Sequence, residues 1–238
     1  MRTVIAIQAR LSSKRLPNKV LADIQGRPMI AQILRRCRAV HGADAVAISC
    51  PPDDADTLYR ATGVEPITGP EEDILTRMLR VAEELEADWV VRCTADCPLI
   101  PPDLIEDGIR TARSMAGTHC VQNWKPRTYP DGFDFDIWTT HALRTFSEGC
   151  TGSDREWFAQ AAMDNGLMSN SIQLAKGNYA HYRLTVDEPD DLDVVRSVYE
   201  DQKGAVWGSK TIMEWCTKHP KIMRLNAHLV KNFGARPK

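Results

Sequence analysis

Residues 4–21 decide how the rest of the chain reads: Val4-Ile5-Ala6-Ile7-Gln8-Ala9-Arg10-Leu11-Ser12-Ser13-Lys14-Arg15-Leu16-Pro17-Asn18-Lys19-Val20-Leu21. Val4 to Ile7 is a short, β-branched apolar run, the pattern of a strand buried on both faces. The loop after it carries Arg10, Lys14, Arg15 and Lys19, with no acidic residue among them. In an open α/β sheet, ligands bind in the crevice outside the carboxyl ends of the strands. A cationic loop at that position is placed to hold an anion, most simply a polyphosphate. Neither G-x-G-x-x-G nor a Walker-type loop is present, so Arg and Lys side chains would join backbone N–H groups in the grip. A basic loop kept only for solubility has the same composition, and on charge alone that reading comes first.

Working outward, the 238 residues suit one large α/β domain, or one domain with a small lobe. A hydrophobic content of 43% with charges of both signs fits a soluble globular protein. The net charge of -2 gives no general case for nucleic acid, whose binders carry a basic excess. No apolar run approaches the roughly 20 residues of a membrane span, and the chain opens on a strand pattern rather than a signal peptide. Cysteines 37, 50, 93, 97, 120, 150 and 216 are scattered without a C-x-x-C pair, as expected of reduced thiols in a cytoplasmic protein. The histidines form no ligand-spaced pair.

Beyond the basic loop, Pro28 suits the first position of a helix to about Val40, with Ile30, Ile33, Leu34 and Cys37 on one face. Ala45 to Ile48 reads as a strand, Pro51 to Thr62 as a helix closed by Gly63, and Val64 to Ile67 as a third strand. Ile74, Leu75, Met78, Leu79, Ala82 and Leu85 repeat at helical spacing before the strand of Trp89-Val90-Val91. This alternation predicts an α/β fold, a mostly parallel sheet with helices on both faces. Later, residues 132–138, 171–174 and 182–186 read as strands, and 139–148, 154–164 and 189–200 as helices. Residues 123–180 read as an elaboration on the sheet. The stretch after Lys203 reads as packing helices and a tail.

Carboxylates follow two of the predicted strands. Asp96, in Val90-Val91-Arg92-Cys93-Thr94-Ala95-Asp96-Cys97-Pro98-Leu99-Ile100, lies just past a strand end, on the side of the first loop. Beside a triphosphate it could coordinate Mg2+, and it could equally form a turn before a helix. Asp187, in Tyr182-Arg183-Leu184-Thr185-Val186-Asp187-Glu188-Pro189-Asp190-Asp191-Leu192, ends a strand pattern, and an Asp there is also an ordinary cap for a Pro-initiated helix. Asp134 and Asp136 share one face of a predicted strand, which fits a solvated face, an acceptor site or a D-x-D metal motif.

Taken together, these segments resemble the sugar cytidylyltransferases: the CMP-Kdo synthetases, the acylneuraminate cytidylyltransferases and, above all, the spore coat polysaccharide cytidylyltransferase-like proteins. The loop Gln8 to Lys19 is similar to their nucleotide signature, which ends in Arg-Leu-Pro-Gly-Lys, with Asn18 in place of Gly. Ala95-Asp96-Cys97-Pro98-Leu99-Ile100 resembles their Gly-Asp-x-Pro-Leu-Ile metal motif, and Val186 to Leu192 their second acidic segment. Tyr129-Pro130-Asp131-Gly132-Phe133-Asp134 resembles the Pro-x-Gly-x-Asp segment near their acceptor. Asp154-Arg155-Glu156-Trp157-Phe158 resembles an Arg-Glu-His-Val stretch but has Trp157 where His is usual.

The resemblance implies a nucleotide-diphospho-sugar transferase-like (Rossmann-like) domain over residues 1–238, with an acceptor and dimerisation lobe at 123–180. It implies transfer of CMP from CTP to an acidic or phosphorylated sugar-like acceptor, with release of pyrophosphate. Catalytic residues would be Arg10, Arg15, Lys19, Asp96 and Asp187, and Mg2+ would sit on Asp96 and Asp187. The nucleotide would meet Ala9, Arg10, Ser13, Lys14, Arg15, Lys19, Asp73, Thr94 and Asp96. Asp134, Asp136 and Arg155 would face the acceptor. A homodimer is expected, since Trp124, Tyr129, Trp138, Phe146, Trp157 and Phe158 with Arg144 and Arg155 read as interface material, the alternative being a satellite core under the loops of one subunit. The rival expectations are a glycosyltransferase of the same fold, which consumes a nucleotide-sugar, and a nucleotide-binding partner without turnover.

Overall fold

The first strand, β1 (Thr3–Gln8), shows why the chain folds as a layered sheet. Its side chains alternate: Ile5 and Ile7 enter one hydrophobic cluster, Val4 and Ala6 the other, all four fully buried. Burying such a side chain is worth about 1.5–3 kcal/mol for Ile or Val, so a strand apolar on both faces is stable only between two layers of helices. The computed structural model describes residues 1–115, 117, 119–166, 170–172 and 174–229.

The remaining strands are β2 (Ala45–Cys50), β3 (Ile67–Thr68), β4 (Trp89–Thr94), β5 (Cys120–Gln122), β6 (Phe135–Thr139) and β7 (Asn170–Ile172). They form one seven-stranded sheet in the order β3-β2-β1-β4-β6-β5-β7. Among the described strands only β6 runs against the rest, antiparallel to both β4 and β5. Six helices cover its two faces. Those of α1 (Met29–Arg38), α4 (Pro102–Ser114) and α7 (Pro189–Gln202) pack through Ile33, Ile105 and Val195 into the cluster of Ile5. Those of α3 (Ile74–Glu84), α5 (Thr140–Gly149) and α6 (Phe158–Asp164) pack through Met78, Leu143 and Phe158 into the cluster of Val4. The helix α2 (Ala55–Thr62) adds Leu58 to the first cluster, as do α8 (Ser209–Lys218) through Ile212 and α9 (Pro220–Met223) through Met223.

Several expectations are corrected. The third strand is two residues long at Ile67–Thr68 and does not begin at Val64. The strand expected from Gly132 begins only at Phe135, because Gly132 (φ +108°) bends the chain against residues 184–185. A Cβ there would lie 2.5 Å from the backbone of Leu184 and Thr185, so only glycine fits. Residues 154–164 split into a 3-10 turn at Gly152–Asp154 and the helix α6. Residues 182–186 form no strand: apart from one bridge between Asp131 and Arg183, their N–H groups go to single loop partners. Leu184 donates to the Asp131 carbonyl at 2.6 Å and Val186 to the Asp96 carbonyl at 2.8 Å. The expected strand at 171–174 is β7, displaced by one residue, with Gln173 outside the described residues.

Residues 123–180 are not merely an addition to the sheet, since β6 lies inside it between β4 and β5. The aromatic side chains expected at an interface there are mostly core: Tyr129, Trp138, Phe146 and Phe158 are buried, and Trp124 and Trp157 half-buried. All seven cysteines are buried. Among the described residues, no helix is long and apolar enough to cross a membrane.

Candidate active site

Beyond the carboxyl ends of β1 and β4, three distant segments of chain converge. From β1 the backbone continues through the N–H of Ala9, which donates to the Ser49 carbonyl at 2.9 Å, and that of Leu11, which donates to Asp54 Oδ2 at 2.8 Å. At Asn18 the chain takes a left-handed turn (φ 55°, ψ 27°), a conformation Asn tolerates in place of Gly. A 3-10 turn, Lys19–Leu21, follows and aims the Lys19 side chain inward.

There its ammonium meets the other two segments. Nζ donates to Asp187 Oδ1 at 2.8 Å, to the Val186 carbonyl at 2.9 Å and to Asp96 Oδ2 at 3.2 Å. The segments that carry the two carboxylates are joined directly, since both the Val186 N–H and the Thr185 hydroxyl donate to the Asp96 carbonyl. Burial pushes the Asp96 carboxyl up, but Lys19, the Thr94 hydroxyl and the Cys97 thiol outweigh it and bring it down to about 2. Burial pushes Lys19 down, and Asp96 and Asp187 more than reverse this. Both partners are therefore charged at neutral pH.

Arg15 extends the cationic edge. Its Nη2 lies 3.0 Å from Asp187 Oδ2 and its Nη1 3.6 Å from Glu188 Oε1, with the side chain 43% exposed and so open to a ligand. Arg10 is exposed, 3.7 Å from Glu156, and Lys14 is exposed on the same loop. Ser13 is half-buried, and Thr94 pairs with the Cys97 thiol at 3.3 Å. Ala9 is buried, and its carbonyl accepts from Arg77 at 3.3 Å.

Other expected residues are engaged elsewhere. Arg155 is held by protein partners: it donates to Asp73 at 2.7 Å, to Thr76 Oγ1 at 2.8 Å and to the carbonyls of Ser147 and Cys150. Asp73 is also the cap of α3, accepting from the Thr76 N–H at 2.8 Å, so both its oxygens are committed to protein partners. Asp136 is fully buried on β6, paired with Arg92 of β4 and accepting from the Trp138 indole at 2.5 Å. Its interior ion pair removes it from the acceptor set. Asp134 lies outside the strand, in a two-bond pair with Arg127 at 2.5 Å, its side chain 25% exposed.

Sequence reasoning missed Arg127, Asp131, Arg183, Asp191 and Asn226. Arg183 is 2% exposed and reaches Asp131, Asp187 and Asp191. Burial and the neighbouring Asp134 lift the Asp131 carboxyl to about 7, against the pull of Arg127 and Arg183. The spacing of Arg183 to Asp187 and Asp191, four and eight residues, was the available signal.

The donor set fits a hard dication in one specific sense. Asp96 and Asp187 already share a single cation, the Lys19 ammonium, between them. Among the described residues, no group of three or more His, Cys, Asp or Glu side chains is placed to cage an ion unaided. Mg2+ is commonly held by one or two carboxylates together with phosphate oxygens and water, so the site suits an ion that arrives on a polyphosphate.

This fold and site define an α/β protein built to grip a nucleotide polyphosphate at the sheet's carboxyl edge. A cytidylyltransferase family profile matches residues 4–129. The 3-deoxy-manno-octulosonate cytidylyltransferase of Anaeromyxobacter dehalogenans (strain 2CP-C) is 37% identical over 186 residues, covering 77% of this chain and 73% of that protein. The chain belongs to the cytidylyltransferase family. Several other relatives of that name match over about half their length or less, such as 46% of the Anaeromyxobacter sp. (strain Fw109-5) protein. Among solved structures, a cytidylyltransferase from Leptospira borgpetersenii serovar Hardjo-bovis (strain JB197) shares the fold at a TM-score of 0.88 and 24% identity, covering 94% of this chain and 97% of that one. A CMP:2-keto-3-deoxy-manno-octonic acid synthetase complexed with CTP shares it at 0.65 and 22%, covering 85% and 100%.

Proposed function

We propose that this chain transfers CMP from CTP to a hydroxyl of an acidic, Kdo-like or phosphorylated sugar, for surface polysaccharide or glycoconjugate synthesis. The observation that carries the reading is the meeting of Lys19 with Asp96 and Asp187 beneath the open guanidinium of Arg15. The acceptor hydroxyl oxygen attacks the α-phosphorus and releases its proton to solvent, the bond to the β-phosphate bridging oxygen breaks, and pyrophosphate leaves. Such transfer depends on positioning and charge stabilisation, so no protein nucleophile is required. Lys19 and Arg15 hold the triphosphate and the departing pyrophosphate, with Arg10 and Lys14 at the rim. Asp96 and Asp187 would hold Mg2+, which would neutralise phosphate charge and polarise the phosphorus under attack. Asp134, partly exposed and within electrostatic reach of Asp96, would be the acceptor contact.

The experiment is incubation with each NTP and Mg2+ across a panel of acidic and phosphorylated sugars including Kdo, monitoring pyrophosphate. CTP-specific pyrophosphate release supports the reading. A nucleoside diphosphate released from a nucleotide-sugar would replace it with a glycosyltransferase, and CTP binding without turnover on any acceptor would replace it with a binding protein. We also propose a cytoplasmic homodimer. The scattered, buried cysteines, with no C-x-x-C pair, support the compartment, and half-buried Trp124 and Trp157 support the pairing surface. A single-chain mass by light scattering at micromolar concentration would refute the dimer.

A further inference from the structure

Behind the two carboxylates lies a buried chain of hydrogen bonds that runs from the C-terminal segment into the site. Asn226, 1% exposed, donates from Nδ2 to Asp191 Oδ1 at 2.8 Å and to the Arg183 carbonyl at 3.0 Å. Asp191, fully buried, takes the Arg183 fork at 2.8 and 2.9 Å, and its Oδ2 also accepts the N–H groups of Asp187 and Glu188 at 3.0 and 3.1 Å. Arg183 Nη2 then donates to Asp187 Oδ2 at 3.1 Å. Both the side chain and the backbone of Asp187 are thus held from behind. Its Oδ1 is left for the cation shared with Asp96.

We infer that Arg183, Asp191 and Asn226 form a positioning relay that fixes which Asp187 oxygen faces the metal, making the segment after α9 part of the support for catalysis. The inference rests on Asp187 as a metal ligand. Partners that orient a metal-bound carboxylate affect metal affinity and activity, whereas a purely structural network would affect stability alone. Arg is suited to the task because its rigid fork can hold one carboxylate with two bonds while a third N–H orients another. Lys in its place keeps the charge and loses the fork. Nη1 of Arg183 also lies 3.5 Å from Asp131, which ties the relay to the loop that carries Asp134.

The test is titration of Mn2+ by electron paramagnetic resonance, with a non-hydrolysable CTP analogue present, on the full chain and on Arg183→Lys, Asn226→Ser and Asp187→Asn. Melting temperature is measured in parallel. The expected result is a Mn2+ affinity about tenfold or more weaker in folded Arg183→Lys and a smaller loss in Asn226→Ser. Raised Mg2+ should partly restore kcat in both. Wild-type Mn2+ titration by both folded variants overturns the relay, whatever their melting temperatures. If Arg183→Lys fails to fold, Asn226→Ser decides: weakened Mn2+ binding supports the relay and an unchanged titration overturns it. If Asp187→Asn itself binds Mn2+ as wild type, the metal-ligand reading fails and the relay with it.

Discussion

Lys19 donates from Nζ to Oδ1 of Asp187 at 2.8 Å, across 168 positions of sequence. The same ammonium lies 3.2 Å from Asp96, so one positive charge holds together two carboxylates that would otherwise repel. Repulsion between unit charges 4 Å apart is about 4 kcal/mol at an intermediate dielectric. The ammonium therefore stands where a dication would be attracted.

Removing that charge should free the site for metal. In Lys19→Met, nucleotide-free Mn2+ binding is expected to tighten by roughly tenfold or more, since an adjacent unit charge is worth more than about 1.4 kcal/mol. Turnover should fall in the same variant, because the lysine no longer meets the triphosphate. Equal Mn2+ affinity in wild type and variant would show that Lys19 does not compete for the metal position.

Arg15 should distinguish nucleotides by phosphate number. Its half-open guanidinium lies at the rim, so Arg15→Ala is expected to weaken CTP by about tenfold and CMP by less, charge-assisted bonds being the stronger ones. Calorimetric titration of both nucleotides measures it. An equal loss for both would mean that Arg15 does not reach the β- and γ-phosphates.

How far the sequence reached depended on what each residue needed from the rest of the fold. The apolar run at Val4 and the parallel alternation sufficed to put Lys19 and Asp96 at one edge of the sheet, because strand ends in such a sheet face the same way. Asp187 joined them through the Val186 N–H, which pairs with Asp96 rather than with a strand. Its alternating neighbours Leu184 and Val186 are fully buried, so the period-2 pattern was sound while its partner was not predictable. The protein partners of Asp136 and Arg155 were illegible for a related reason. Which cation a buried carboxylate meets is set by register: Asp136 sits opposite Arg92 only because β6 enters the sheet beside β4. Asn226 carried no local signal, since its partners lie 35 and 43 positions away.

Arg155 should behave as a stability residue. Its guanidinium joins Asp73 and Thr76 of the α3 start to the carbonyls of Ser147 and Cys150. Arg155→Ala is expected to cost about 1.5–3 kcal/mol, the range for hydrogen bonds to charged groups, with KM for the acceptor little changed. Denaturant titration beside acceptor kinetics separates the roles. A large rise in acceptor KM without loss of stability would restore it to the acceptor site.

Asp96 should leave its mark on acid stability and on turnover together. Its carboxyl is held at about 2, below the ordinary 3.8, because Lys19, Thr94 and Cys97 outweigh burial. A folded-state value below the unfolded one means that the unfolded chain binds the proton first as pH falls, so stability is lost on acidification. The contribution is fully present above about pH 4 and disappears between there and about pH 2. Asp131, lifted to about 7 by burial and Asp134, acts in the opposite sense: its favourable contribution is lost as pH rises from 3.8 through 7. Asp96 is one of the charges that raise Asp131, so wild type and Asp96→Asn are compared below pH 3.8, where Asp131 is protonated both folded and unfolded and the difference between their unfolding curves reports Asp96. Asp96→Asn is expected to show a shallower acid limb below pH 4 and, at neutral pH, turnover reduced by about a hundredfold or more, the scale of a lost transition-state charge partner. Parallel acid limbs would mean that Lys19 does not hold Asp96 in solution. Wild-type turnover at saturating Mg2+ would remove Asp96 from the metal site.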